Sequence, residues 1–286
     1  MPRGQRLYVR NGIYHVMARG NRKQAIFEDT GDRRRFVKIL AEASERYQVP
    51  VLGECRLGTH YHGVAKTPRA NISEFMGYLN GEYAKYSNRR HRRIGHVFGE
   101  RFKPILVDTG LYLRVVMSYV LRNPVTAGLA ETAAEWKWSS YRATAGLEVA
   151  PGYLCLDWLD STFPASSRSE SQTLFERYVN SPSLEDAEAW LERVVYGSDA
   201  CRNGVRAHIG ATLYMAAIPR AYRALYRPPL EQLLPALLSK AARNTAMLRA
   251  HVVHAYTLAE IGRWVGLHPA SVSRIICSVR PRLNDQ

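Results

Sequence analysis

Residues 55–66 read CRLGTHYHGVAK, and the triplet His60-Tyr61-His62 decides how the N-terminal half is understood. In a strand, side chains at i and i+2 leave the same face, so both imidazoles aim at one point while Tyr61 turns into the layer behind. Two imidazoles converging from a rigid strand, in a strongly basic chain, suit a divalent metal held against a phosphate. A sheet-edge strand that simply carries two histidines is the competing reading. The triplet alone does not choose between them.

Composition narrows the partner. At 286 residues and 46% hydrophobic content the chain can build a full core. A net charge of +15 and a pI near 9.9 point to a polyanion, with nucleic acid ahead of a membrane. No apolar run approaches the ~18 residues of a membrane span, and the start MPRGQRLYVRNGIYHV lacks the apolar core of a signal peptide. Cys55, Cys155, Cys201 and Cys277 lie far apart without a Cys-x-x-Cys pair. That argues against a disulfide framework or zinc knuckle and fits a reducing cytoplasm, with nucleoid association expected of a DNA binder.

Charge is unevenly distributed. Residues 1–150 hold 25 Lys and Arg against 13 Asp and Glu, residues 151–200 hold 3 against 9, and residues 201–286 hold 12 against 3. Two basic blocks separated by an acidic one suggest two nucleic-acid-binding units, 1–150 and 201–286, joined by an acidic helical connector.

Within the first block, residues 11–19 alternate as a half-buried strand with Ile13, His15 and Met17 on one face. Asp29 to Gln48 reads as a helix stopped by Pro50. Val51–Leu57 and His60–Ala65 form a hairpin about Gly58-Thr59. A helix from about Asn71 to Ser87 runs into Arg89, Arg90, Arg92 and Arg93, a cluster suited to phosphate contact. Phe102–Val107 is a short strand despite Pro104, and a helix from Gly110 to Arg122 ends at Asn123-Pro124. This order describes an α+β fold, an antiparallel sheet with helices on one face.

On that last helix Tyr119 and Asn123 are four apart and share a face. A phenol beside a metal-bound phosphate can attack phosphorus and leave a covalent phosphotyrosine, although a free tyrosine with pKa near ~10 is a weak nucleophile. The metal would polarise the phosphate and stabilise the departing 3′-oxygen, and Asn123 could lend an amide oxygen as a third ligand. The chain has 17 tyrosines, and spacing alone does not single out Tyr119.

Residues 1 to about 145 resemble the single-tyrosine transposases of the HUH endonuclease superfamily, especially the REP-associated (IS200-like) tyrosine transposases. NGIYHVMARGNRKQAIF, THYHGVAKTP, GHVFGERFKPILVD, YVLRNPVTAGL and WKWSSY carry the resemblance, in the family's order and approximate spacing. It implies a ferredoxin-like fold, Mg²⁺ or Mn²⁺ held by His60, His62 and Asn123, and Tyr119 as nucleophile. It further implies cleavage of single-stranded or hairpin DNA through a 5′-phosphotyrosine with a free 3′-OH, by a monomer or homodimer. Two departures flank the ligands: Gly58-Thr59 stands where the family often has Pro-Asn, and Gly63 where a bulky apolar residue is common. Both are positioned to loosen the strand, though neither removes a catalytic group.

The C-terminal third begins with a Pro-, Gly- and Ser-rich connector over 151–170. Helices are expected at Gln172–Val179, Ser183–Tyr196 and Ala200–Ile209. Residues 257–280, TLAEIGRWVGLHPASVSRIICSVR, form a helix–turn–helix pattern: Thr257 caps the first helix, Gly266 turns and Pro269 opens the second. Ile261, Val265, Leu267, Val272 and Ile275 fall at its buried positions, and Gly262 where helices approach. Ser271, Ser273 and Arg274 would face a major groove. Two ordinary packed helices are the alternative. The pattern resembles the C-terminal module of the replication initiator DnaA and of many regulators.

The leading function is therefore a DNA transposase-like, metal-dependent tyrosine endonuclease. A non-catalytic, sequence-specific DNA-binding regulator derived from a transposase is the alternative, and a nuclease that activates water, leaving Tyr119 structural, is a third.

Overall fold

The computed structural model describes residues 8–181, 195–212, 227–235 and 238–279. The chain divides into two units, Tyr8–Ser198 and one built from Asp199 onward.

The first unit is organised on a five-stranded sheet of order β2-β3-β1-β4-β5. Here β1 is Gly12–Arg19, β2 Val51–Arg56, β3 His60–Thr67, β4 Lys103–Val107 and β5 Val195–Tyr196. β1 lies between β3 and β4, antiparallel to both, and β2 pairs antiparallel with β3. β5 adds a short parallel strand against β4. Pro104 sits near the start of β4, opposite Val16.

Helix α1 (Thr30–Tyr47) begins where the Asp29 carboxylate accepts the Asp32 amide, and ends where Gln48 turns left-handed ahead of Pro50. Helix α2 (Ile72–Arg90) packs beside it, burying Phe75, Met76, Leu79 and Tyr83. Both cover the sheet face that carries Tyr61 and Val16. Helix α3 (Leu111–Thr126) covers the opposite face, placing Val116, Met117, Val120 and Leu121 against Cys55, Val64 and Ile105. The α+β class stands, and helices cover both faces rather than one. The sequence expectation failed here because the α3 stripe shows that one side is buried without showing against which side of the sheet.

The segment after α3 is also part of this unit. In the WKWSSY stretch, Trp138 offers its carbonyl to the Arg56 amide, and the Ser140 amide donates to the Glu54 carbonyl while the Ser140 hydroxyl accepts the Glu54 amide, so the outer edge of β2 is covered. Helices α4 (Tyr141–Thr144), α5 (Asp157–Thr162) and α6 (Arg168–Asn180) follow. Trp158, Phe163, Phe175 and Val179 join the α3 core, and the Trp158 indole donates to the Leu52 carbonyl at 3.1 Å. The acidic stretch thus carries core aromatics. The helix expected over Ser183–Tyr196 lies outside the described residues up to 194, and its last two residues are β5 strand instead.

The second unit contains α7 (Asp199–Thr212), α8 (Leu230–Leu233), α9 (Lys240–Val252), α10 (Leu258–Val265) and α11 (Pro269–Val279). Its core is Leu234, Met247, Ala250, Tyr256, Ile261, Val272 and Ile276, with Val265, Leu267 and Ile275 packed at the margin. Thr257 and Glu260 form a reciprocal capping box, and Gly266 closes α10 with a φ of 70°. A Cβ on Gly262 would stand 2.4 Å from the Leu267 carbonyl oxygen, too close for any side chain. Gly262→Ala should therefore destabilise this unit by about 1–3 kcal/mol. Chemical denaturation of the full chain followed by circular dichroism checks this, and an unchanged midpoint would contradict the close α10–α11 approach.

Candidate active site

The pleat of β3 sends His60 and His62 to the α3 side of the sheet. Tyr61 points the other way, its ring 4.6 Å from Phe36 and its hydroxyl donating to Asn80. His62 is buried and His60 half-buried, with ring centroids 5.1 Å apart and planes 76° apart. α3 delivers Tyr119 from above, edge-on to His62 at 5.6 Å between centroids. The structure thus brings together the strand pair and the helix tyrosine. Asn123 stands one turn beyond, half-buried. The helix does not stop at Asn123-Pro124 but runs to Thr126, with Pro124 in its last turn, where a missing N–H forfeits only one hydrogen bond.

The flanking departures do not loosen this arrangement. The Gly58 and Thr59 carbonyls accept the Ile26 and Gly20 amides at 2.9 and 2.8 Å, tying the hairpin to the loop after β1. Gly63 is paired on both sides, to Val16 and Glu54, and a Cβ there would lie 3.3 Å from the Val16 side chain.

A third histidine completes the cluster. His15 Nε2 lies 2.9 Å from His62 Nδ1, both rings are 1% exposed, and the Tyr119 ring is 6.2 Å from His15. Sequence periodicity puts His15 on the right face of β1, but only the β1–β3 register makes it diagonal to His62. The same register sets Arg19 opposite His60, and Lys103 opposite Met17, itself opposite His62. These two cations were invisible to motif reading for the same reason.

Burial dominates the electrostatics. It drives His60 down to about 4, helped by Arg19, and His15 to about 3, helped by Lys103. His62 is held well below the usual 6.5 by burial and then by its two histidine neighbours. All three rings are neutral at pH 7, the form that binds metals. The Nδ1 of His60 is engaged by the Thr59 hydroxyl at 3.0 Å and that of His62 by His15, leaving Nε2 of each ring to coordinate. Among the described residues no group of three or more His, Cys, Asp or Glu side chains is arranged to hold a metal. Two imidazoles with a non-acidic third donor still fit a divalent cation, and imidazole nitrogen favours Mn²⁺ over Mg²⁺.

The expected arginine cluster divides. All four are exposed, but Arg90 bridges to Asp29 at 2.6 Å and to Asp32, and Arg93 to Glu28 at 2.7 Å, whereas Arg89 and Arg92 form no ion pair among the described residues. Asp32 is fully buried and also meets His91 at 3.0 Å. This knot fastens the end of α2 to the start of α1, and Arg90 holds the Asp29 carboxyl well below the usual range. In the second unit Arg274 is exposed on α11, with Ser271 and Ser273 half-buried beside it. Among the described residues, no helix is long and apolar enough to cross a membrane.

Fold and site define an α+β unit in which a strand pair of imidazoles faces a helix phenol. Residues 8–123 match the family model described as "Transposase IS200 like". Among solved structures, the chain is similar to one described as "Structure of the REP associates tyrosine transposase bound to a REP hairpin", with 15% identity and a TM-score of 0.46 over 53% of this chain and 89% of that one. No curated protein matches the chain.

The depressed histidines make stability depend on pH. Unfolded imidazoles near 6.5 take up protons that the buried rings refuse, so stability is full above that value and is lost as pH falls through about 4 toward 3. Thermal unfolding in the presence of chelator should show this decline, and His15→Phe should flatten it.

Proposed function

We propose that this protein is a DNA transposase-like, metal-dependent endonuclease that cleaves and rejoins single-stranded or hairpin DNA through a 5′-phosphotyrosine on Tyr119. The observation that carries this reading is the edge-on approach of Tyr119 to His62 at 5.6 Å, made by two elements 57 residues apart in sequence. His60 and His62 would hold Mg²⁺ or Mn²⁺ through Nε2, with Asn123 as third donor. When bound, the cation polarises the scissile phosphate and stabilises the leaving oxygen. The Tyr119 oxygen forms a bond to phosphorus as the P–O3′ bond breaks. The phenol gives up its proton and the departing 3′-oxygen ends as a hydroxyl. Rejoining reverses these steps with an incoming 3′-OH. Arg19 and Lys103 flank the histidines and would steady the phosphate. Neutral, buried imidazoles beside two cations make the site receptive to an anion, and the family description of residues 8–123 supports the reaction class.

DNA would also be held outside the site. Arg89 and Arg92 are the cluster members suited to the phosphate backbone, while Arg90 and Arg93 anchor the loop. Ser271, Ser273 and Arg274 would read a duplex groove from α11.

With Mn²⁺ and end-labelled single-stranded DNA from the gene's own flanks, the wild type should form an SDS-resistant adduct and Tyr119→Phe should form none. Cleavage that survives the substitution would rule out Tyr119 as nucleophile. Replacing Arg89 and Arg92 together by alanine should flatten the slope of log affinity against log salt by about 1.4, at ~0.7 per lost single-strand contact. Arg90→Ala should instead lower the unfolding temperature, because it leaves buried Asp32 short of its cation.

A further inference from the structure

The His15–His62 contact is not explained by packing. The α3 face around it is lined by Ile13, Val64, Ile105 and Val120, all apolar and all buried. An imidazole placed among them loses hydration that only a hydrogen bond restores, whereas an apolar ring would fill the space without that cost. The bond lies close to both ring planes: the planes differ by 18°, and the 2.9 Å N···N contact takes up most of the 5.2 Å between centroids. This is an in-line hydrogen bond rather than a stack of faces.

One proton is shared by two nitrogens, and its position decides what His62 can do. If His15 donates, His62 must carry its own proton on Nε2 and has no lone pair to offer there. If His62 donates, its Nε2 is a lone pair directed away from His15. We infer that His15 is a positioning residue whose Nε2 accepts the Nδ1–H of His62, fixing the tautomer and ring orientation in which His62 presents Nε2 to a divalent cation. The inference rests on the metal reading of His60 and His62. The hydrogen-bonded partner of a metal-binding imidazole commonly governs affinity 10–100-fold.

The test uses the full chain. Long-range proton–nitrogen spectra of ¹⁵N-histidine-labelled, metal-free protein at neutral pH report which nitrogen of His62 carries hydrogen. Calorimetric titration with Mn²⁺ alone reports affinity. The wild type should show His62 protonated on Nδ1. His15→Phe should bind Mn²⁺ 10–100-fold more weakly and mix the His62 tautomers, and His15→Gln, which offers an amide oxygen, should recover most of the loss. Wild-type His62 protonated on Nε2 would overturn the inference without any variant, so a misfolded His15→Phe leaves it testable. Mn²⁺ binding that is lost in His62→Ala but unchanged in His15→Phe would overturn it and leave the metal reading intact. A wild type that binds no Mn²⁺ would overturn both.

Discussion

The β1–β3 ladder holds the molecule's two faces in register. Because the pleat alternates, the pairing of Met17 with His62 and of Ala18 with Tyr61 settles at once which side chains meet α3 and which meet α1 and α2. A slip of one residue would bury His60 and His62 among Phe36, Phe75 and Tyr83 and turn Tyr61 toward Tyr119. Tyr61 is fully buried and hydrogen-bonded on its own side, so the slip would forfeit a large aromatic core contact as well as the histidine cluster. The core therefore enforces the site. Gly63, fixed between Val16 and Glu54, belongs to that enforcement, since β3 is an interior strand paired along both edges.

A second constraint acts at the far end of the helices. Asp32, buried at the start of α1, collects the Glu28 amide, Arg90 and His91. A buried carboxylate is tolerated only when its lone pairs are met by donors, and here the donors come largely from the end of α2. The end of α2 and the loop after it are thus anchored by the ion pairs of Arg90 and Arg93, while Arg89 and Arg92, equally exposed, form none among the described residues. Clustered positive charge in a sequence does not by itself separate these roles, since ion-paired and unpaired arginines have the same composition.

What was legible in the sequence was local. The i, i+2 histidines, the i, i+4 spacing of Tyr119 and Asn123, the helix from Asp29 and the Thr257 cap all depend on neighbours within a few residues. What was not legible depends on partners far along the chain. His15 and His62 are 47 residues apart, Arg90 and Asp32 are 58 apart, and β5 is two residues whose strand character exists only against β4. The acidic stretch was misleading for another reason. Asp157, Asp160 and Glu170 lie on its exposed side, whereas Trp158, Phe163 and Phe175 decide where it packs. The second face of helices was missed because an apolar stripe reveals burial and not its direction.

These two kinds of information meet at Tyr119. Its helix continues unbroken past Asn123, so the phenol and the amide are carried by one rigid rod, and that rod is fixed by Val116, Val120 and Leu121 against the sheet that carries the histidines. Side chains held on packed helices and interior strands keep their relative positions more closely than side chains on loops. The proposed chemistry asks for that, because a weak nucleophile gains most from being held close to its target and from pre-aligned groups around the charge it creates. Pro124 sits just after Asn123, where its missing amide leaves the Val120 carbonyl without its helical donor. The lost bond falls between the candidate residues Tyr119 and Asn123, yet the helix runs on to Thr126, and the packing of Val116, Val120 and Leu121 keeps Tyr119 aligned with His62.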